Sequence, residues 1–255
     1  MSTPSPGVRV VHLNHPEIRN ALTEEMRRDW DAALDLIEAD EDVRVLVVTG
    51  TGGSFCSGAD LSWLDEAEAA EITPDRIRRR IAPFYRSWLR LGTLPFPTIA
   101  AINGPTVGAG LALALCCELR YSHTSARFSA PFLHLGTHPG IAITHTLAAS
   151  VGDARAKEMF YTGRSVSAEE AHEWGLTLGV FDDVLSHALD VATGIAAAAP
   201  IATRLLKQGL DTVGSSIAEA TEWESLAQSV TLATRDLHEG VRAFTEGRSP
   251  RFRGE

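Results

Sequence analysis

The first 140 residues alternate between short apolar runs and segments with helical or turn patterns. Residues 8–13 (VRVVHL) are rich in β-branched residues and predict a strand. Residues 43–49 (VRVLVVT) and 98–102 (TIAAI) are nearly all apolar, which is typical of parallel strands buried on both faces. Thr23 precedes apolar residues at helical spacing and predicts a capped helix that ends near Ala39. Similar patterns predict helices over 59–73 and 75–91 and strands over 118–122 and 127–129.

Beyond about residue 141 the pattern predicts helices and no further strands. These helices are expected over 143–151, 153–161, 167–174, 183–199, 200–211, 215–234 and 236–246. The chain has no repeat of fixed period and no low-complexity linker. The sequence therefore predicts one α/β core followed by a helical C-terminal extension.

Two segments share one design, in which a buried strand leads into a glycine-rich turn and the start of a helix. They are residues 45–61 (VLVVTGTGGSFCSGADL) and 97–114 (PTIAAINGPTVGAGLALA). The first amides of a helix have no backbone partner, and glycine lets a ligand approach the chain closely. Two such turns facing one point would direct the N–H groups of Ala59 and Ala109 at a single oxygen atom. That arrangement is the geometry of an oxyanion hole.

Ordinary tight turns between a strand and a helix are the alternative explanation for both segments. Neither turn matches the phosphate-binding pattern GxxxxGKS/T, and neither matches GxGxxG with an acidic residue about 20 positions later. A nucleotide cofactor is therefore not favoured. The sequence also shows no metal-ligand cluster and no Ser–His–Asp set.

Charge and cysteine usage narrow the class of protein further. The chain has 23 basic and 33 acidic residues and a net charge of −10, which argues against nucleic-acid binding. Its three cysteines cannot form a disulfide framework, which favours a reducing compartment. The N-terminus lacks a signal-peptide pattern, and the longest apolar stretch, 108–117, is too short to span a membrane. We expect a cytoplasmic protein without a membrane partner.

Several stretches together resemble the crotonase (enoyl-CoA hydratase/isomerase) superfamily from about residue 8 to residue 252. They are NHPEIRNALTEEM (14–26), VRVLVVTGTGGSFCSGADL (43–61), FPTIAAINGPTVGAGLALALCCELR (96–120), LGTHPG (135–140), TGRSVSAEEAHEWGL (162–176) and HEGVRAFTEGRSPRF (238–252). The resemblance implies a ClpP-like α/β fold of repeated ββα turns with a core domain over 1–200. It also implies a C-terminal helical trimerisation region over 201–255, hence a homotrimer or homohexamer. The substrate would be a coenzyme A thioester, with no permanently bound cofactor and no metal.

The resemblance also implies which residues bind the acyl-CoA. It assigns the oxyanion hole to Ala59 and Ala109, in agreement with the turn pattern. The other substrate-binding residues that it implies are Arg19, Ala21, Ser57, Gly58, Asp60, Leu61, Gly108, Gly110, Phe132, Phe244 and Arg248. Phe244 and Arg248 would reach coenzyme A bound to a neighbouring subunit. Solvated surface charge is the alternative for Arg19 and Arg248, and Ser62 replaces a lysine that the family often uses for the 3′-phosphate.

The two positions where the hydratases carry their catalytic glutamates are apolar here. Ala112 stands at the first and Phe132 at the second, and neither side chain can transfer a proton. The usual glutamate-pair mechanism of hydration is therefore not available, and neither is isomerisation by the second glutamate alone.

Other side chains could carry the proton. His138 lies in the THPG stretch, and His134 would share a face with Phe132 if that stretch were extended. His145 and the acidic residues of the segment 59–73 (Asp65, Glu66 and Glu68) are weaker candidates, and each could equally be an ordinary hydrogen-bonded or solvated residue. Cys56 is expected to have a packing role.

These observations leave two main hypotheses and a weaker third. In the first, the protein is an enzyme that stabilises a thioester enolate with the Ala59 and Ala109 amides and uses an unusual proton carrier. In the second, it is a non-catalytic acyl-CoA binding or carrier protein of fatty-acid metabolism, as the apolar Ala112 and Phe132 suggest. A purely structural oligomer is the third, and the glycine-rich turns argue against it.

Overall fold

A six-stranded sheet lies at the centre of the computed structural model, which describes residues 1–60, 73–212 and 216–255. The strand order is β1-β2-β3-β4-β6-β9, and every neighbouring pair is parallel except β1 with β2. A smaller sheet has the order β5-β7-β8. The strands are β1 Ser2–Ser5, β2 Val8–Leu13, β3 Val45–Gly50, β4 Thr98–Ile102, β5 Thr106–Val107, β6 Leu119–His123, β7 Arg127–Ser129, β8 Val166–Ser167 and β9 Val180–Phe181.

Helices cover both faces of the large sheet, as the apolar strand pattern predicts. In β3, Leu46 and Val48 pack into one hydrophobic cluster, whereas Val45 and Val47 pack into a second cluster on the opposite face. The helices are α1 Glu24–Glu38, α2 Pro74–Thr93, α3 Ala109–Ala114, α4 Ile143–Val151, α5 Asp153–Thr162, α6 Ala168–Glu173, α7 Val184–Ala196, α8 Pro200–Thr212, α9 Ile217–Leu232 and α10 Arg235–Glu246. Thr23 caps α1 by accepting a hydrogen bond from the Met26 N–H, which confirms the predicted start.

The expectation that strands end near residue 141 is wrong. The strands β8 and β9 follow that point, and β9 extends the large sheet next to β6. β1, at the N-terminus, was also not predicted. β8 and β9 have two residues each, which is too short for an alternation of apolar and polar residues to be visible in the sequence. These strands are defined only by their pairing with other strands.

Short β-pairings connect the two glycine-rich turns. Cys56 forms an isolated parallel bridge with Thr106, and β5, which contains Thr106, leads directly into Gly108 and α3. Leu22, just before α1, forms a second bridge with Ala59. The two turns are therefore held beside each other by backbone hydrogen bonds and not by side chains alone.

The C-terminal helix α8 is attached to the core by an ion pair whose lysine is buried and whose glutamate is partly buried. Lys207, which is 7% exposed, places its Nζ 2.7 Å from Oε1 of Glu118 and donates a 3.1 Å hydrogen bond to the Phe96 carbonyl. Glu118 also accepts hydrogen bonds from the N–H and hydroxyl of Thr98 at the start of β4. The carboxylate is thus shared between the helix and the sheet.

We expect Lys207→Met to lower the free energy of unfolding by about 2–3 kcal/mol, because it leaves the Glu118 carboxylate without its cation. Thermal unfolding should show a midpoint lower by roughly 5–10 °C. Lys157→Met is the matched control, since Lys157 pairs with Asp153 on the exposed surface of α5. A midpoint no lower than that of the control would contradict the proposed anchoring.

In the part of the chain that the structure describes, no single helix is long and apolar enough to cross a membrane. Helices α7 and α8 meet that criterion only as a pair, and a bend of 109° separates them. α7 packs its alanine face on the sheet, where Ala188 and Ala192 are fully buried.

Candidate active site

The first glycine-rich turn is held in place by two asparagines, of which Asn20 is buried. Asn20 donates hydrogen bonds of 2.9 Å from its side chain to the carbonyls of Thr51 and Ser54. Asn103 accepts a hydrogen bond from the Gly50 N–H. Asn20 is fully buried in the left-handed region with φ of 57°, so its conformation is fixed by these contacts. These hydrogen bonds are made within the chain and fix the backbone of the turn without a contribution from a ligand.

The pairing of Leu22 with Ala59 leaves the Ala59 amide free. The Leu22 N–H donates to the Gly58 carbonyl at 2.7 Å, and the Asp60 N–H donates to the Leu22 carbonyl at 3.2 Å. In such a parallel bridge the N–H of the central residue points away from its partner strand. Among the described residues, no backbone acceptor lies within hydrogen-bonding distance of the Ala59 N–H.

The second turn leaves the Ala109 amide free in a different way. Gly108 has φ of +54° and precedes the first residue of α3, and no side chain caps this helix. The Gly108 N–H donates to the Ser129 carbonyl, but the Ala109 N–H has no acceptor within the described ranges. The first N–H groups of a helix have no acceptor within the helix, so the Ala109 N–H is available for a ligand.

Gly58 lies at the contact between the two turns. A Cβ atom built on Gly58 would lie 2.9 Å from the Val107 carbonyl oxygen and 3.6 Å from the Ala109 nitrogen. Gly58 also has φ of +103°, a backbone conformation that residues other than glycine rarely adopt. The residue lets the two free amides approach each other.

Gly110 does not line the cleft, contrary to its predicted role in substrate binding. A Cβ atom on Gly110 would lie 2.7 Å from Cβ and 2.8 Å from Sγ of Cys56. Its role is to let α3 pack against the first turn. Burial raises the pKa of the Cys56 thiol to about 12, so the thiol stays protonated at neutral pH, as expected of a packing residue.

A cleft of about 680 Å³ opens in front of both free amides. It brings together most of the predicted site, namely Arg19, Ala21, Ser57, Gly58, Ala59, Asp60, Gly108, Ala109, Phe132 and His138. Residues that the sequence analysis did not assign to the site complete its lining, among them Ile77, Ile81, Phe84 and Tyr85 of α2 and Leu135, Thr137, Gly140 and Ile141. Its walls are mainly apolar. Leu61 and Ser62, like the acidic candidates in 59–73, lie outside the described residues.

Phe132 lies directly above the second turn. Its ring carbon Cζ is 3.6 Å from the position that a Cβ atom on Gly108 would occupy. An apolar ring thus lies beside Gly108, the residue that precedes the Ala109 amide. Ala112 is fully buried in the core and does not line the cleft, and its N–H donates a 3.0 Å hydrogen bond to the Gly108 carbonyl.

The expectation that Phe132 and His134 share a face is wrong. Phe132–Leu135 form a 3₁₀ turn and not an extended segment, so side chains two residues apart point in different directions. The His134 ring lies against Gly163, where a Cβ atom would be 2.7 Å from its Cε1. His134 is absent from the cleft lining, and so is His145, which is exposed on α4.

His138 lies in the cleft lining, and its tautomer is defined by its neighbour. Its Nδ1 is 2.7 Å from the Pro139 carbonyl oxygen, which can only accept a hydrogen bond. Nδ1 therefore carries the hydrogen, and Nε2 of the neutral ring is left with a free electron pair. This is the arrangement that a general base requires.

Tyr85 is a polar residue of the cleft that the sequence analysis missed. It lies on α2 within a stripe of cleft-lining residues with helical spacing, formed by Ile77, Ile81, Phe84 and Tyr85. Burial raises the pKa of its hydroxyl, which therefore stays protonated at neutral pH. The stripe is visible in the sequence, but only the folded structure shows that it faces the two turns.

The remaining predicted residues lie away from the cleft. Phe244 is 89% exposed on α10, and Arg248 follows that helix with its guanidinium paired to Glu239 and Glu246. This pairing lowers the pKa of Glu239 to about 2. Arg248 is thus positioned by carboxylates of its own chain. In the described part of the chain, no group of three or more His, Cys, Asp or Glu residues could hold a metal ion.

Comparison with known proteins identifies the class to which this fold and site belong. The model of the enoyl-CoA hydratase/isomerase family matches residues 3–255. The 2,3-dehydroadipyl-CoA hydratase of Escherichia coli K12 is 35% identical over 97% of this chain and 95% of its own length. The chain belongs to the enoyl-CoA hydratase/isomerase family.

Solved structures agree with this assignment. The crystal structure of an enoyl-CoA hydratase from Bacillus anthracis superposes with a TM-score of 0.91 at 32% identity, over 100% of this chain and 98% of the other. An enoyl-CoA hydratase from Polaromonas sp. JS666 gives a TM-score of 0.91 at 30% identity, over 99% of each chain. The fold is the crotonase fold, which confirms the resemblance found in the sequence.

Proposed function

We propose that the protein is an enzyme that acts on acyl-CoA thioesters and polarises the thioester carbonyl with the N–H groups of Ala59 and Ala109. The observation that carries this proposal is the pair of free amides at one cleft, brought together at Gly58. A carbonyl oxygen that gains negative charge is stabilised by two such donors more strongly than the neutral carbonyl is. The substrate carbon next to the thioester thereby becomes easier to protonate or deprotonate.

The acyl group of the proposed substrate is apolar. Ile77, Ile81, Phe84, Leu135 and Ile141 form most of the wall beyond the two amides. Burying an apolar chain against these residues stabilises binding by about 25 cal/mol per Å².

Coenzyme A would be held at the other end of the cleft. Arg19, Ala21, Ser57 and Asp60 line the cleft at the first turn, where the Ser57 N–H donates to the Arg19 carbonyl, and Arg19 offers a positive charge to a phosphate. Phe244 and Arg248 would reach coenzyme A only from a neighbouring subunit. A homotrimer or homohexamer built on residues 201–255, with a core over 1–200, and a cytoplasmic location stay predictions from the sequence.

The named hydratases among the relatives support addition of water to an enoyl-CoA as the reaction. The proton carrier would differ from the glutamate pair, since Ala112 and Phe132 occupy those positions. His138 is the histidine candidate that lines the cleft with a free Nε2.

A panel of enoyl-CoA substrates of different chain length tests this proposal. We expect saturable turnover of apolar enoyl-CoA thioesters. The measurement is the loss of absorbance of the conjugated thioester as water adds to the double bond. Calorimetry with a saturated acyl-CoA measures binding on its own. Tight binding without turnover of any member would contradict the enzyme function. It would support the second candidate function, an acyl-CoA binding or carrier protein, which is favoured by the apolar side chain of Phe132. Absence of binding would contradict both.

A further inference from the structure

Few polar side chains of the cleft are free to act on a bound acyl group. The Ser57 hydroxyl donates to the Ile18 carbonyl, and the Thr137 hydroxyl donates to the His138 carbonyl. Both groups are thus engaged by the backbone. The Tyr85 hydroxyl and the His138 Nε2 differ from them, because neither takes part in a hydrogen bond within the described residues.

The Tyr85 hydroxyl is held at the turn that follows His138. A Cβ atom on Gly140 would collide with the hydroxyl oxygen of Tyr85 and would lie 2.6 Å from its Cζ. Glycine at position 140 therefore makes room for the hydroxyl. Tyr85 and His138 both line the cleft, and the Tyr85 hydroxyl lies against Gly140, two residues after His138.

The two groups have complementary chemistry. The Tyr85 hydroxyl is protonated at neutral pH and can give a proton, whereas the free Nε2 of His138 can take one. Enzymes of this kind need both functions, because addition of water delivers a hydroxyl to one carbon and a hydrogen to the next.

We propose that Tyr85 is a catalytic residue that protonates the carbon next to the thioester carbonyl, with His138 as the base that activates water. The proposal rests on the function proposed above. His138 Nε2 takes a proton from water while the oxygen bonds to the β-carbon of the enoyl group. The π electrons of the double bond move towards the thioester and form an enolate held by the Ala59 and Ala109 amides. The α-carbon then takes the Tyr85 proton, and solvent returns a proton from the imidazolium to the tyrosinate.

Tyr85→Phe removes one oxygen atom and keeps the ring, so it tests the proposal directly. We expect kcat to fall about 100-fold, within the usual range for loss of a general acid. KM and the Kd for a saturated acyl-CoA should change less than about 3-fold, because the apolar contacts remain. Tyr161→Phe is the matched control, since Tyr161 is 68% exposed on α5 and away from the cleft.

Reaction in D₂O adds a readout that a structural role would not move. NMR of the product should show deuterium on one face of the α-carbon for the wild type and on both faces for the residual reaction of Tyr85→Phe. Wild-type kcat and stereochemistry in this variant would overturn the role of Tyr85. A wild-type protein that turns over no enoyl-CoA would instead overturn the proposed function, and this inference with it.

Gly140→Ala keeps the hydroxyl but displaces it, and so provides a second test. We expect its kcat to fall at least about 10-fold while the midpoint of thermal unfolding stays close to that of Tyr85→Phe. Unchanged turnover in Gly140→Ala, with the fold intact, would contradict the position assigned to the hydroxyl.

Discussion

Ala109→Pro should lower kcat on an enoyl-CoA substrate by about 100- to 1000-fold, the usual effect of losing one oxyanion-hole donor. Proline has no N–H, so the substitution removes one of the two donors at the cleft. No hydrogen bond within the described residues is lost, because the Ala109 N–H has no protein acceptor there. Position 109 is also the first residue of α3, where proline fits a helix. The fold should therefore survive, and the measurement is steady-state kinetics with thermal unfolding alongside.

A proline at another helix start separates the chemical effect from the backbone effect. Ile217 is the first residue of α9, is 86% exposed and follows Ser216 with extended backbone geometry. Ile217→Pro should leave kcat within about 2-fold of the wild type. Equal activity in Ala109→Pro and Ile217→Pro would place the oxyanion hole elsewhere. If Ala109→Pro loses both its fold and acyl-CoA binding, the Gly58→Ala variant tests the position of the oxyanion hole.

Gly58→Ala should reduce both stability and activity. Its φ of +103° is costly for alanine, and the new Cβ would lie 2.9 Å from the Val107 carbonyl oxygen. Backbone strain and overpacking each cost about 1–3 kcal/mol, so we expect a loss of about 3–5 kcal/mol in the free energy of unfolding. The midpoint of thermal unfolding should fall by roughly 6–15 °C. At temperatures where the variant is folded, kcat should also fall, because the new Cβ pushes the two turns apart and separates the two free amides.

Gly53→Ala is the matched control in the same turn. A Cβ atom on Gly53 meets nothing within 4 Å, and the residue does not have a positive φ. We expect its unfolding midpoint and its kcat to stay close to those of the wild type. If Gly58→Ala behaved like Gly53→Ala, the contact between the two turns would not be what holds the amides together.

Much of the fold could be predicted because burial leaves a direct pattern in the sequence. The nearly continuous apolar runs at β3 and β4 identify strands that are covered on both faces. Thr23 marks the start of α1 because its side chain satisfies a helix amide locally. The two glycine-rich turns are also local features, and the family followed from the order and spacing of these turns and four further stretches of the chain.

The site was only partly predictable, because proximity of residues distant in the chain has no local signature. The sequence by itself predicted that the two hydratase carboxylates are absent, since Ala112 and Phe132 stand at the matching positions of the motif. It did not determine which groups replace them. The 3₁₀ turn at Phe132–Leu135 directs His134 away from the cleft, and the packing of α2 brings Tyr85 to Gly140. Local propensity and periodicity fix strands, helices and turns, whereas the meeting of Tyr85 and His138 at one cleft depends on long-range packing, which only the tertiary structure decides.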